Sequence, residues 1–236
     1  MKMMLGDIPV DVVKKDIKNV HLSVYPPSGK VRISAPRLMN DESIRCFALS
    51  RLGWIRKQQQ KFSEQDRETP REYLERESHY VWGERRLLRF VEKDATPSVQ
   101  LQHKSLWMQV RPGAGTEKKQ QLLDDWYRQQ LKAVLPDIIA TWEKKIGVQV
   151  SEFGIKKMKT RWGTCNPEAA RIWINLELAK KPKECFEYIV VHEMVHLLEP
   201  THNQRFIDLM NAFLPQWKHY RDLLNRLPVR HEDWEY

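Results

Sequence analysis

His192-Glu193-Met194-Val195-His196-Leu197-Leu198-Glu199-Pro200-Thr201-His202 is the stretch on which the reading of this chain turns. It closes a helix-periodic run, Glu184 to Leu198, in which Phe186, Ile189, Val190, Met194 and Leu197 supply a packing face. Residues four apart on a helix share a face, so the rings of His192 and His196 project together and can bind one ion. Glu193 lies one position along. There it can reach a water on that ion without being a ligand, and take its proton as general base. Pro200 turns the chain, so His202 can return as a third nitrogen ligand. Three protein ligands and an open position suit a catalytic zinc better than a structural one. Three of the chain's eight histidines fall in these eleven residues. The other five, His21, His79, His103, His219 and His231, are scattered and read as ordinary surface or half-buried residues.

Outward from the motif, Val148 to Met158 alternates loosely and Arg171 to Leu176 is a short β-prone run. Asn203 to Phe213 and Gln216 to Leu227 predict two further helices broken at Pro215, before a polar tail, Arg230 to Tyr236. Upstream, Glu117 to about Ile146 predicts a long helix, with Leu122, Leu123, Trp126, Tyr127, Leu131, Val134 and Leu135 as its apolar stripe. Pro136 is expected to kink or divide it. Arg111 to Thr116 is the clearest boundary signal. The first hundred residues read mainly as strand. Ile17 to Tyr25 and Val31 to Ala35 alternate around a turn at Pro26 to Gly29, which predicts a hairpin. Asn40, Asp41 and Ser43 offer N-caps for one helix through about Phe62. Arg67 to Glu77 reads as a solvated connector, and Tyr80 to Glu84, Arg86 to Val91 and Ser98 to Val110 as a second group of strands. No internal repeat is apparent. The expectation is an α+β chain with a β-rich part carrying one helix at 1–112 and a catalytic part at 113–236, together forming one compact unit.

Composition narrows the class. The 236 residues are 41% hydrophobic and 30% charged and include nine Trp, which excludes fibrous and disordered chains. No run of 18 apolar residues exists to span a membrane. The N-terminal stretch lacks the apolar centre and cleavage site of a secretory signal. Cys46, Cys165 and Cys185 are odd in number and widely spaced, fitting neither a disulfide framework nor a metal knuckle, so a cytoplasmic protein with inert thiols is expected. The net charge of +9 raises the prospect of an anionic partner. From Ser151 onward, however, there are 13 basic against 12 acidic residues, and the first 150 residues hold 27 against 19. The excess therefore lies outside the metal motif. Its clusters, Arg51, Arg56, Lys57 and Lys61 on one helix and Arg85, Arg86 and Arg89 near a turn, read as solvated faces, with nonspecific nucleic-acid contact as the functional alternative.

Beyond the metal motif the sequence resembles the YgjP-like metallopeptidases, a zincin family. Met158-Lys159-Thr160-Arg161-Trp162-Gly163-Thr164-Cys165 matches that family's K-x-RWG-S/T-C signature, Arg171 to Leu176 its following strand, and Tyr188 to Glu193 the start of its metal helix. Ser34-Ala35-Pro36, Trp54-Ile55-Arg56-Lys57 and Gly83-Glu84 echo it, so the resemblance covers most of the chain. It implies a zincin-like metallopeptidase domain, in which a small sheet packs on the HExxH helix and an edge strand borders the cleft. It also implies one Zn2+ per chain held by His192, His196 and His202, with Glu193 as catalytic acid and base. Arg161 and Trp162 become substrate-binding candidates, against the alternative of an ion-paired Arg161 and a core Trp162. Wider relatives include SprT-like and Wss-type peptidases that digest proteins crosslinked to DNA.

The His196 to His202 spacing equals that of metzincins, but Glu199 stands where they place Gly. No Met-turn follows, and Met210 reads as helix packing. Asp222 is the one later acid placed for a glutamate-type ligand, and His202 makes it unnecessary. Glu199 reads either as a residue orienting a ligand or as a helix-end surface carboxylate. The leading expectation is thus a zinc peptidase acting on a peptide or protein. A nucleotide pyrophosphatase is the alternative, because hydrolysis of UTP has been assigned to a family member. A nucleic-acid-binding protein with a non-catalytic metal site is the third reading.

Overall fold

Period-two alternation begins at the first residues of the chain. In a computed structural model, which describes residues 2–25, 28–64, 71–159 and 161–228 (the side chains of 61 and 64 excepted), Lys2–Leu5 (β1) and Ile8–Lys15 (β2) form a hairpin. It buries Met3, Leu5, Ile8, Val10 and Val12 on one face. His21–Tyr25 (β3) and Lys30–Pro36 (β4) complete a sheet of order β1-β2-β4-β3, with β2 and β4 parallel and the outer pairs antiparallel. Its buried face is covered by Asp41–Ser50 (α1) and Leu52–Glu64 (α2) through Ile44, Ala48 and Ile55. The Asn40 side chain caps α1, accepting from Ser43 N at 2.7 Å. The single helix expected here is interrupted at Arg51, whose N–H turns back to the Ala48 carbonyl (3.1 Å) next to Ser50 and Gly53, two poor helix formers.

The described residues fall into two compact units, 2–25, 28–64 and 228 in one and 71–159 and 161–227 in the other. The second opens with Ser78–Val81 (β5), Glu84–Glu92 (β6), Ser98–Gln102 (β7) and Ser105–Val110 (β8), in the order β5-β6-β8-β7. This sheet repeats the first in strand order and direction, and in register. Val10 opposite Val31 and Val12 opposite Ile33 correspond to Leu88 opposite Leu106 and Phe90 opposite Met108. Leu22 opposite Ile33 likewise corresponds to Val99 opposite Met108. An internal repeat is therefore present that the sequence did not reveal. It is conserved as a burial pattern, which many residue choices satisfy, and the helices that follow differ.

After β8 comes one helix, Thr116–Ile146 (α3), and Pro136 does not divide it. Leu131 and Leu135 before the proline and Ile139, Trp142 and Ile146 after it are buried along a continuous stripe. Their burial outweighs the roughly 3 kcal/mol that an interior proline costs. Gly147, at φ 77°, ends the helix in the left-handed conformation that favours glycine. The α3 residues share one core with Leu88, Leu106 and Met108 of the preceding sheet, so the boundary expected at 112/113 falls inside the second unit. The described part of the expected connector is also less solvated than its charge suggests. Tyr73 is buried, and Glu77 accepts from the backbone of Glu72 and Leu74 (3.1 and 3.2 Å). Residues 65–70, Thr160 and the tail 230–236 lie outside the described residues.

Glu152–Lys156 (β9), Gly163–Asn166 (β10) and Arg171–Asn175 (β11) form a small sheet of order β10-β11-β9. A 3-10 turn, Leu176–Lys180, leads to Lys183–Val195 (α4), followed by Gln204–Phe213 (α5) and Trp217–Arg226 (α6). Helix α4 is buried nearly all round, which fits its continuously apolar sequence. The architecture is the expected α+β fold with a β-rich N-terminal part. Among the described residues no helix is long and apolar enough to cross a membrane.

Candidate metal centre and active-site cleft

Helix α4 presents His192 and Glu193 in its last turn, and His196 caps its end. The chain then tightens, with Leu197 N bonded to Met194 O (3.0 Å) and Glu199 N to Val195 O (3.0 Å). This turn brings the Glu199 carbonyl to His196 Nδ1, which donates to it at 3.0 Å and leaves Nε2 free as an acceptor. A polar chain carries the turn onward. Glu199 Oε1 accepts from Thr201 N (3.2 Å) and Thr201 Oγ1 (2.9 Å), and Asn203 Nδ2 donates to Thr201 Oγ1 (3.1 Å). Asn203 Oδ1 then caps α5 by accepting from Phe206 N (3.0 Å). His202, held within this loop, points back at the helix.

The three imidazoles converge through their Nε2 atoms, with His202 2.9 Å from His192 and 3.2 Å from His196. Tetrahedral ligands at about 2.0–2.1 Å from an ion stand about 3.3 Å apart, so a set of this size fits one ion. Phe206, 2% exposed, lies against all three rings at centroid distances of 4.9, 4.7 and 4.8 Å. It closes the apolar side of the centre. Burial, aided by the two neighbouring imidazoles, pushes the His192 pKa down to about 3, and burial also lowers that of His196. Both rings therefore stay neutral at pH 7, the form that binds metal.

Glu193 is 6% exposed, and burial pushes its carboxyl up to about 8, against a smaller lowering by the Arg161 charge. Its side chain lies on Gly163 of β10. A cleft of about 590 Å³ opens in front, lined by the three histidines and Glu193, by Arg161 to Cys165 of the β10 approach, and by Tyr188, Ile189 and Pro200 among others. Strand β10 pairs only with β11, so its other side is free among the described residues.

His192, His196, His202 and Glu193 are thus brought together. Arg161 is exposed at the cleft, and among the described residues it forms no ion pair. Its carbonyl accepts from Asn175 Nδ2 at 2.7 Å. Trp162 is half-buried, so it both lines the cleft and packs on the core, with Lys181 Nζ 5.9 Å from its ring. Met210 is buried as helix packing, and Asp222 pairs with Arg221 (3.0 Å) rather than joining the centre. At Glu199 it is the carbonyl that holds His196, while the carboxylate, kept low in pKa by Thr201, shapes the turn. Sequence reading passed over Gly163, Asn175 and Phe206, whose roles depend on partners distant along the chain.

An α+β scaffold carrying a histidine triad, a buried carboxylate beside it and a cleft under an edge strand defines a metallopeptidase-like hydrolase. The sequence profile of the YgjP-like metallopeptidase domain matches residues 18–227, and the chain belongs to that family. Among solved structures, it is similar to the metallopeptidase zymogen abylysin of Pyrococcus abyssi. The two are 20% identical over 38% of this chain and 90% of that one, with a TM-score of 0.35. No curated protein matches the chain.

Proposed function

We propose that this chain is a zinc-dependent peptidase, with one ion held by His192, His196 and His202 and Glu193 as its general base. The observation that carries this reading is the convergence of three imidazoles, with His202 Nε2 2.9 Å from that of His192 and 3.2 Å from that of His196, beside a buried carboxylate and a free strand edge. Zinc held there supplies Lewis acidity, which lowers the pKa of a water and polarises a carbonyl oxygen. Glu193 takes a proton from the attacking water and returns it to the leaving amine. A cation beside the carboxylate favours its ionised form, so Glu193 is a base at neutral pH in the loaded protein. The free side of β10 accepts an extended peptide by strand addition. Trp162, Tyr188, Ile189 and Pro200 give apolar walls for its side chains, and Arg161 is the one Lys or Arg among the described lining residues. A lone guanidinium is sparse provision for a triphosphate, which favours a peptide over a nucleotide.

Metal content by mass spectrometry and turnover of a quenched peptide library, with UTP in parallel and Glu193→Gln as control, test the proposal. The expected result is one zinc per chain and peptide cleavage that Glu193→Gln abolishes. UTP hydrolysis without peptide cleavage, lost in the same variant, would overturn the peptidase reading in favour of a nucleotide hydrolase. A protein that works equally well without metal would overturn both.

A further inference from the structure

We propose that Gly163 is a positioning residue for Glu193, the space of its missing side chain being occupied by the Glu193 carboxylate; the inference rests on the reading of Glu193 as the base. A Cβ built on Gly163 would stand 2.6 Å from Glu193 Oε1, 2.7 Å from Cγ and 2.9 Å from Cδ. All three nearest atoms belong to this one side chain. Cγ lies close to the helix backbone, so turning the terminal carboxylate does not relieve the clash. The whole side chain would have to adopt another rotamer.

Neither of the supporting elements can yield instead. Gly163 pairs with Ile174, which is fully buried. Just before it, the Trp162 carbonyl accepts from Asn175 N at 2.9 Å. Asn175 is itself 4% exposed and clamps the approach to β10. Its Nδ2 donates to the carbonyls of Arg161 (2.7 Å) and Met158 (3.0 Å), and its Oδ1 accepts from Glu177 N (3.2 Å) and Met158 N (3.3 Å). On the other side, Val190, Val191 and Met194 of α4 are fully buried, and close-packed interiors resist such a shift. Strand and helix are both anchored, and the Glu193 side chain is the part left to move. The same glycine lets the cleft-lining strand approach the helix closely enough to cover the carboxylate.

The test is a double-mutant cycle on the full chain: Gly163→Ala, Glu193→Ala and the double variant. Each is measured for urea stability after chelation, for bound zinc and for peptide turnover. Gly163→Ala should lower the unfolding midpoint in the wild-type background, and much less where Glu193 has been truncated, because the clash partner is gone. Zinc should remain near one per chain throughout. Turnover by Gly163→Ala should fall about 100-fold or more in kcat with KM little changed, the signature of a displaced base, and fall no further in the double variant than in Glu193→Ala alone. An equal stability cost in both backgrounds would overturn the proposal, since the strand would then need glycine for its own sake. If Gly163→Ala does not fold, the double variant decides: folded, it supports the proposal; unfolded, it refutes it. Absence of peptide turnover in the wild type would count against the peptidase reading, whereas the stability cycle reads the Gly163–Glu193 contact independently of it.

Discussion

Replacing Glu193 by Gln should stabilise the metal-free protein at alkaline pH and leave it almost unchanged at acid pH. The carboxyl is 6% exposed, and burial raises its pKa from the ordinary 4.5 to about 8. Between those values the folded protein keeps its proton while the unfolded chain has released it. The stability from this group is therefore fully present below pH 4.5, declines as pH rises, and is gone above about 8. At about 1.4 kcal/mol per pH unit, the whole window amounts to at most ~5 kcal/mol, and relaxation around a buried charge reduces that to about 2–4 kcal/mol. Glutamine has nearly the same shape and does not ionise, so it escapes this loss.

The assay is thermal melting of both proteins in chelator at pH 5, 7 and 9. The midpoints should nearly coincide at pH 5 and separate steadily, with Glu193→Gln higher by roughly 5–15 °C at pH 9 for a unit of this size. Added zinc should narrow the separation, since an adjacent cation favours the ionised carboxylate. A gap that is constant with pH, or a wild type that is the more stable at pH 9, would refute the placement of Glu193 in a desolvated site.

Three further outcomes are expected. Phe206→Ala removes the ring beneath all three imidazoles from a position 2% exposed, so stability should fall by about 3–5 kcal/mol in urea titrations and zinc should bind more weakly in a chelator competition; unchanged zinc affinity counts against its supporting role. Thr201→Val keeps the side-chain volume but loses the hydroxyl bonds to Glu199 and from Asn203, and zinc affinity measured by equilibrium dialysis should weaken about 10-fold. Burial pushes the thiols of Cys165 and Cys185 up to about 11, that of Cys165 also through the nearby Glu193 charge, whereas Cys46 is exposed. Iodoacetamide at pH 8 should therefore label Cys46 first by mass spectrometry, and early labelling of Cys165 would contradict the raised pKa of its half-buried thiol.

The metal helix could be read in advance because its logic is local. Four residues of helical spacing align His192 with His196, and Pro200 marks where the chain must turn. What completes the site acts at longer range. Gly163 meets Glu193 thirty positions later, Asn175 reaches back to Met158, and Phe206 comes up under the histidines from another helix. A glycine in a strand or a phenylalanine in a helix carries no local mark of such partners. Two local signals also pointed the wrong way for the same reason. Pro136 reads as a break until the buried stripe on either side is seen, and Arg111 to Thr116 is a turn, with Gly113 at φ 74°, but not a boundary between cores.

The repeated sheet separates what the scaffold requires from what it leaves free. Val31, Ile33 and Ala35 in one copy and Leu106, Met108 and Val110 in the other are all buried, so the inward positions must be apolar and little else is asked of them. The outward positions of the same strands differ in kind: Lys30, Arg32 and Ser34 in the first copy stand where Ser105, Trp107 and Gln109 stand in the second. Strand β4 thus carries two cations outward where β8 carries none, although Arg89 opposite Trp107 keeps a cation on the second sheet's outer face, so the charge of β4 is not required by the fold. Part of the basic charge of the N-terminal part is already engaged, with Lys14 on Asp41 (2.8 Å), Lys30 on Asp11 (3.1 Å) and Arg56 on Asp7 (3.5 Å). Exposed pairs of this kind contribute little to stability, yet each removes a cation from the count available to a polyanion. Every residue proposed for the chemistry lies between Arg161 and Phe206, in the second unit and outside both of these sheets.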